Sequence, residues 1–257
     1  MTNLIIRSIP TGPLDNYAHV IHDPDAKTTV CVDPGESMPV IQALKSWGWS
    51  LTHILVTHAH HDHIGGIDGL VDEFKCEIFA DRRECPAIPH CHVGVADRDE
   101  IKIKNLAFKV MDIPGHLKHH LAYYLESENA LFSGDTLFSL GCGKMFEGTA
   151  MEFWHSLKKI RELPPQTLVY GAHEYTVANA KFALSIDPFN IDLINRSREV
   201  NEIRAKGLAT IPSTLASEIK CNPFLRCDVP AFQDMLGLSG QDGAHVFAQI
   251  RRQKDQF

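Results

Sequence analysis

The stretch Thr57-His58-Ala59-His60-His61-Asp62-His63-Ile64-Gly65-Gly66 packs four imidazoles and a carboxylate into six residues. Such groups are too polar to bury without partners, and protonated imidazoles held this close repel one another. A divalent metal resolves both problems, because neutral imidazole and carboxylate are its natural ligands. The chemistry on offer is metal-assisted hydrolysis. A surface histidine tract that binds metal adventitiously is the bland alternative, but such tracts rarely follow an apolar strand.

The elements that must position these groups are legible nearby. Ile54-Leu55-Val56 reads as a short buried strand. Side chains two residues apart at a strand end share a direction, so His58 and His60 converge. Asp62 and His63 fall where the chain should turn into a helix beginning near Ile64. The Gly65-Gly66 pair would let the backbone approach the metals closely.

Three later positions repeat one pattern. Gly115-His116, Gly134-Asp135 and Ala172-His173 each follow an apolar run and a small residue. Open sheets place their sites at such strand ends. Alone, each could be a loop histidine or a capping aspartate; beside the His58–His63 motif they complete a two-metal site. The expected sets are His58, His60 and His116 for one ion, and Asp62, His63 and His173 for the other. Asp135 bridges them, since a carboxylate has two oxygens. Two ions roughly 3.5–4 Å apart would lower the pKa of a water held between them and polarise a substrate carbonyl. Asp62 and Asp135 are therefore expected to be catalytic as well as metal-binding. Zinc is the first expectation, with iron and manganese equally compatible with imidazole and carboxylate.

Composition bounds the rest. The chain has 257 residues, 44% hydrophobic and 22% charged, enough for a sizeable core. A net charge of -7 argues against general nucleic-acid or anionic-membrane binding. Met1–Arg7 lacks the pattern of a signal peptide, and no apolar run approaches the roughly 20 residues of a membrane span. Seven scattered cysteines give no disulfide framework and suggest a reducing cytoplasm. Cys85, His90, Cys91 and His92 lie in a polar stretch, 81–100, that is expected to be a covering loop; their spacing fits no standard zinc pattern.

Strands are expected over 4–9, 17–21, 28–32, 76–80, 108–113, 121–125, 130–132 and 167–170. Helices are expected over 38–47, 64–73 and 151–163. From Glu174 onward the pattern is almost only helix, over 175–185, 191–206 and 244–254. This shift predicts an α/β domain over 1–173 and a helical domain over 174–257.

The motif His58-x-His60-x-Asp62-His63, with the later Gly-His, Gly-Asp and His, resembles the metallo-β-lactamase superfamily. That resemblance implies a four-layer αββα sandwich with its site at one edge of two sheets. Further segments resemble the glyoxalase II (hydroxyacylglutathione hydrolase) family within it. They are Ser133–Phe138, Gly141-Cys142-Gly143-Lys144, Phe146-Glu147-Gly148-Thr149, Ala172–Thr176, Lys181–Leu184, Asn222–Arg226 and the closing Arg251-x-x-Lys254-Asp255-x-Phe257. The resemblance covers essentially the whole chain. It implies hydrolysis of S-D-lactoylglutathione to D-lactate and glutathione, in methylglyoxal detoxification, by a monomer. It also implies glutathione contacts at Lys144, Tyr175, Arg251 and Lys254. Arg251 and Lys254 are three apart on a helix and share a face.

The chain departs from the family pattern after His116, where Leu117 stands in place of a threonine and His119 in place of a glycine. A positive φ at that glycine position would strain His119, and His119 or His120 could compete as a ligand. Phe146 replaces a tyrosine found in some relatives. Other readings are a mononuclear iron persulfide dioxygenase on the same scaffold, a non-catalytic metal- or glutathione-binding relative, and a nuclease or lactamase. Truncation after His173 is expected mainly to weaken substrate binding.

Overall fold

Alternating apolar residues and tight turns build the first sheet. A computed structural model describes residues 3–257; Met1 and Thr2, part of the stretch read for a leader, lie outside them. Ile5–Thr11 (β1), Asn16–Asp23 (β2) and Thr28–Val32 (β3) pair antiparallel. His53–Leu55 (β4), Glu77–Asp81 (β5) and Val93–Val95 (β6) then add in parallel, in the order β1-β2-β3-β4-β5-β6. Parallel neighbours need crossovers. Ser37–Trp47 (α1) supplies one, and His61–Ile64 (α2) with Ile67–Phe74 (α3) supplies the next. Val40 and Leu44 of α1 and Ile67 and Leu70 of α3 pack on Val20, Cys31, Ile54 and Ile78 of the sheet, all 0% exposed. Each such aliphatic side chain contributes about 1.5–3 kcal/mol by leaving water.

A second set of strands faces the first. Glu100–Ile103 (β7), Leu106–Asp112 (β8), Leu121–Leu125 (β9) and Ala130–Gly134 (β10) pair antiparallel in sequence order. The Phe132 ring lies 5.7 Å from that of His19, and the Tyr123 hydroxyl donates to the Val56 carbonyl at 2.6 Å. These strands complete one compact unit, made of residues up to Asp112 with His119–Gly134.

The other unit joins Ile113–Lys118 to Asp135–Phe257. Ala150–Arg161 (α4) starts at a capping box: Glu152 N–H donates to the Thr149 hydroxyl, and the Glu152 carboxylate accepts from Thr149 N–H. Leu168–Gly171 (β11) pairs with Ser213–Thr214 (β12). Around them lie Thr176–Ile186 (α5), Ile191–Ala205 (α6), Leu215–Cys221 (α7), Pro230–Met235 (α8) and Gly243–Gln256 (α9). Phe153 of α4, Phe224 and Phe247 of α9 form its aromatic core, with ring centroids 5.1 and 5.8 Å apart along the chain of contacts.

Several expectations are corrected here. The helix expected near Ile64 starts at His61, so Asp62 and His63 sit on a first helical turn. Gly65 and Gly66 are small because they pack on the Pro34–Ser37 backbone; a Cβ on Gly66 would lie 2.6 Å from the Pro34 carbonyl oxygen. The polar 81–100 stretch contains β6 and leads into β7, and Cys85 and Cys91 are joined by a disulfide. That bond removes both thiols from any zinc site and is an exception to the expected all-reduced cysteines. Elements β12, α7 and α8 were not expected. Among the described residues, no helix is long and apolar enough to cross a membrane.

Candidate metal centre

Each unit carries some of the expected ligands. In the first, β4 runs into Thr57 and His58, and a single carboxylate organises this strand end. Asp33 adopts a left-handed backbone (φ 51) at the end of β3. Its oxygens accept from Thr57 N–H at 2.8 Å and the Thr57 hydroxyl at 2.6 Å. The Thr57 hydroxyl proton is thus engaged, so its oxygen accepts from His58 Nδ1–H at 3.0 Å. His63 Nδ1 lies 3.0 Å from the same Asp33 carboxylate, which can only accept. Both imidazoles therefore carry their proton on Nδ1 and present Nε2 as a lone pair, as metal-ligating histidines do.

The Nε2 of His58 and the Nδ1 of His60 stand 3.1 Å apart. Two nitrogens about 2.0–2.1 Å from one ion at a tetrahedral angle stand roughly 3.3 Å apart. The pair already has the separation of two ligands on one ion. His63 Nε2 lies 3.5 Å from Asp62 Oδ2, and Asp62 is steadied by Asn16 Nδ2, which donates to its carboxylate at 2.9 Å. Asp33, His58 and His63 also converge, but Asp33 already accepts from three donors and serves to orient. Gly134, in the left-handed region (φ 49), leaves room beside this group; a Cβ there would lie 2.5 Å from the Thr57 hydroxyl.

The second unit brings His116, Asp135 and His173 together. His116 Nδ1–H donates to the Lys144 carbonyl at 2.7 Å, which again leaves Nε2 with its lone pair. That Nε2 lies 3.5 Å from Asp135 Oδ2, while His173 Nε2 lies 3.2 Å from Asp135 Oδ1. The two oxygens of one carboxylate thus face different imidazoles. His116, Asp135 and His173 are all buried. Neutral nitrogens and a carboxylate are the donor types that suit a divalent metal.

The expected glutathione contacts lie in this unit. Lys144 is exposed, with its ammonium 5.6 Å from the Phe146 ring centroid. Tyr175 stacks on His173 at 4.7 Å. The Lys254 ammonium lies 5.2 Å from the Phe182 ring centroid and 5.5 Å from that of Phe257, and burial followed by the nearby Arg251 lowers its pKa. Arg251 is 6% exposed, with its guanidinium on backbone carbonyls and Asp255.

His119 is not strained, since it is absent from the non-glycine residues with positive φ. Its Nε2 points toward Glu84, 3.9 Å away. His120 is buried and stacks on His58 at 4.6 Å. Among the described residues, neither belongs to a cluster able to hold an ion. Sequence reasoning missed Asp33 and Asn16. Asp33 read as part of a Pro-Gly turn, and its only distinguishing signal is its place at the end of the strand beside β4. Burial pushes the free Cys142, Cys76 and Cys221 thiols up to about 11, which makes them poor nucleophiles.

Residues 11–173 match a family profile described as the metallo-beta-lactamase superfamily, and residues 174–257 match hydroxyacylglutathione hydrolase C-terminus. A hydroxyacylglutathione hydrolase of Methylococcus capsulatus is 44% identical over 243 residues, 95% of each chain. One from Jannaschia sp. is likewise 44% identical over 95% of each chain. Among solved structures, ETHE1 from Myxococcus xanthus aligns with a TM-score of 0.70 at 24% identity, over 96% of this chain and 90% of that one. The BLEG-1 B3 metallo-beta-lactamase aligns with a TM-score of 0.67 at 25% identity, over 86% of this chain and 99% of that one. These likenesses fix the fold as that of the metallo-β-lactamases, with two sheets, flanking helices and a helical C-terminal region.

Proposed function

The chain belongs to the hydroxyacylglutathione hydrolase family of the metallo-β-lactamase superfamily, and from that premise we propose that it hydrolyses S-D-lactoylglutathione and related S-2-hydroxyacylglutathiones. The observation that carries the reading is the full-length likeness to hydroxyacylglutathione hydrolases together with the oriented imidazoles and carboxylates. We assign His58, His60 and His116 to one ion, Asp62, His63 and His173 to a second, and Asp135 to both. Zinc is our first choice, with iron or manganese as substitutes. When bound, such ions lower the pKa of water and polarise a thioester carbonyl.

The chain's own residues do the rest. Asp33 and the Lys144 carbonyl fix the protons on His63 and His116. Asp62, held by Asn16, is proposed to take a proton from the attacking water. Water oxygen bonds to the acyl carbon, the carbon–sulfur bond breaks, and glutathione leaves as thiolate and takes up a proton. Lactate stays ionised, so each turnover releases one proton. Lys144, Arg251, Lys254 and the Tyr175 hydroxyl are proposed to bind the glutathione part, whose carboxylates suit the cations and the phenol. We read 1–173 as the catalytic portion and 174–257 as the substrate-binding portion, in a cytoplasmic monomer that acts on a small thioester in methylglyoxal detoxification.

A panel of substrates tests this reading. The metal-loaded protein should cleave glutathione thioesters at least a hundredfold faster, in kcat/KM, than a β-lactam or a phosphodiester, a ratio of about 2.7 kcal/mol in transition-state stabilisation. Faster cleavage of either competitor contradicts it.

A further inference from the structure

We propose that the Cys85–Cys91 disulfide is a reversible redox site that exchanges with a small thiol of the glutathione class, rather than a staple of the fold. The exchange chemistry stands on this loop alone; only the local supply of glutathione rests on the proposed function.

The chain treats its seven cysteines in two ways. Cys31, Cys76, Cys142, Cys221 and Cys227 are free and buried. Burial raises the pKa of every one of them, so they are shielded from solvent and poor in thiolate. Cys85 and Cys91 alone are half-buried, and they are the two that are bonded to each other. The sulfurs that a solvent-borne thiol can reach are therefore the pair able to form and break one bond.

The loop does not depend on that bond. The two cysteines are six positions apart, and closing so short a loop takes little entropy from the unfolded chain. Between them Ile88 is 4% exposed and packs into the core under the first sheet, against which Cys91 also packs. Backbone hydrogen bonds hold both ends. Ala87 N–H donates to the Glu84 carbonyl at 2.8 Å, Cys91 N–H to the Ile88 carbonyl at 3.2 Å and His92 N–H to the Ile78 carbonyl of β5 at 3.1 Å. Ile78 N–H returns a bond to His92 Nδ1 at 3.3 Å. With the disulfide open, these anchors keep the two Cα atoms near their present 5.3 Å, within reach for the bond to form again. Exposed disulfides that contribute little to the fold are the labile ones.

The exchange balances with glutathione alone. One glutathione thiolate attacks a sulfur of the pair, the Cys85–Cys91 bond breaks, and the other cysteine leaves as a thiolate and takes up a proton. A second glutathione thiolate attacks the mixed disulfide and releases oxidised glutathione and the second cysteine thiol. Two glutathione thiols are oxidised, one protein disulfide is reduced, and the two protons end on Cys85 and Cys91. The pair thus reads the thiol–disulfide poise around the protein.

The test incubates the full-length, metal-loaded protein with reduced glutathione, labels native thiols with a maleimide and maps the labels by mass. Two labels should appear, on Cys85 and Cys91, at least about tenfold faster than on any buried cysteine. Oxidised glutathione should abolish both, and the reduced protein should keep its cooperative melt. Cys91→Ser in oxidised glutathione should take up one glutathionyl group on Cys85, released again by reduced glutathione. If excess glutathione opens the bond only in denatured protein, or if reduction abolishes the cooperative melt, the disulfide is a staple and the proposal is overturned. Labelling of the buried cysteines at the same rate means general unfolding and overturns it too. Should Cys91→Ser fail to fold, labelling of the wild type decides. A chain that cleaves no glutathione thioester but exchanges at Cys85 and Cys91 would refute the proposed function and leave this inference standing.

Discussion

Asp33 shows how much the proposed ligands depend on a residue outside the proposed set. One carboxylate receives Thr57 N–H, the Thr57 hydroxyl and His63 Nδ1–H, and through Thr57 it sets His58 as well. Asp33→Asn keeps the shape but offers an amide to donors. We expect metal affinity to fall about 10–100-fold, with the fold retained, measured by chelator competition beside a far-UV spectrum. Wild-type affinity would remove Asp33 from the machinery. The proposed ligands themselves were legible, since their residue types and spacing are specific. Asp33 was not, because a carboxylate in an Asp-Pro-Gly turn looks the same whether it caps the turn or reaches the end of a neighbouring strand. The burial of Arg251 was equally hidden, since a basic residue near a helix end ordinarily faces solvent.

At the scale of elements, the strands and helices with clear periodicity were read to within a few residues, as with α1, β9 and α4. Short elements escaped. Val93–Val95 holds a glycine among three residues, and Ser213–Thr214 is two residues long, so neither carries a pattern. Helix α7 was missed although it anchors the loop before the Cys142–Lys144 segment. Its Glu218 accepts from Leu140 N–H at 2.8 Å, the Ser139 hydroxyl at 3.1 Å and Asn222 at 3.1 Å. Burial raises the Glu218 pKa above its ordinary value of 4.5, against the pull of these hydrogen bonds. The folded state thus binds this proton more tightly than the unfolded state. Its stabilising contribution is complete below the unfolded pKa and is lost as pH rises through the raised folded pKa. Glu218→Gln removes that loss. The melting temperature of Glu218→Gln relative to wild type should therefore climb as pH rises above about 4.5. A difference that is flat or falls with pH would contradict the assignment.

At the scale of the whole molecule, the order of strands and helices pointed to an α/β region followed by a helical one, the αββα sandwich came from the family resemblance, and the family likeness spans almost the entire chain. The expected effect of truncation does not survive the structure. Phe247, Val246 and Ile250 of α9 and Phe224 are at most 1% exposed, and Phe247 packs on Phe153 of α4. Losing even one such phenylalanine costs about 3–5 kcal/mol, against a typical total stability of about 5–15 kcal/mol. A chain ending at His173 should show no cooperative melting for the unit that holds His116, Asp135 and His173. A cooperative transition in that fragment would show that the helical tail is dispensable for folding.

The most direct measurement is the release of free thiol from S-D-lactoylglutathione by the purified, metal-loaded protein, beside a chelated sample and one restored with zinc. The account predicts thiol release with one proton per turnover, loss of both on chelation, and recovery on restoration. No thiol release from folded protein that holds its metal would contradict it.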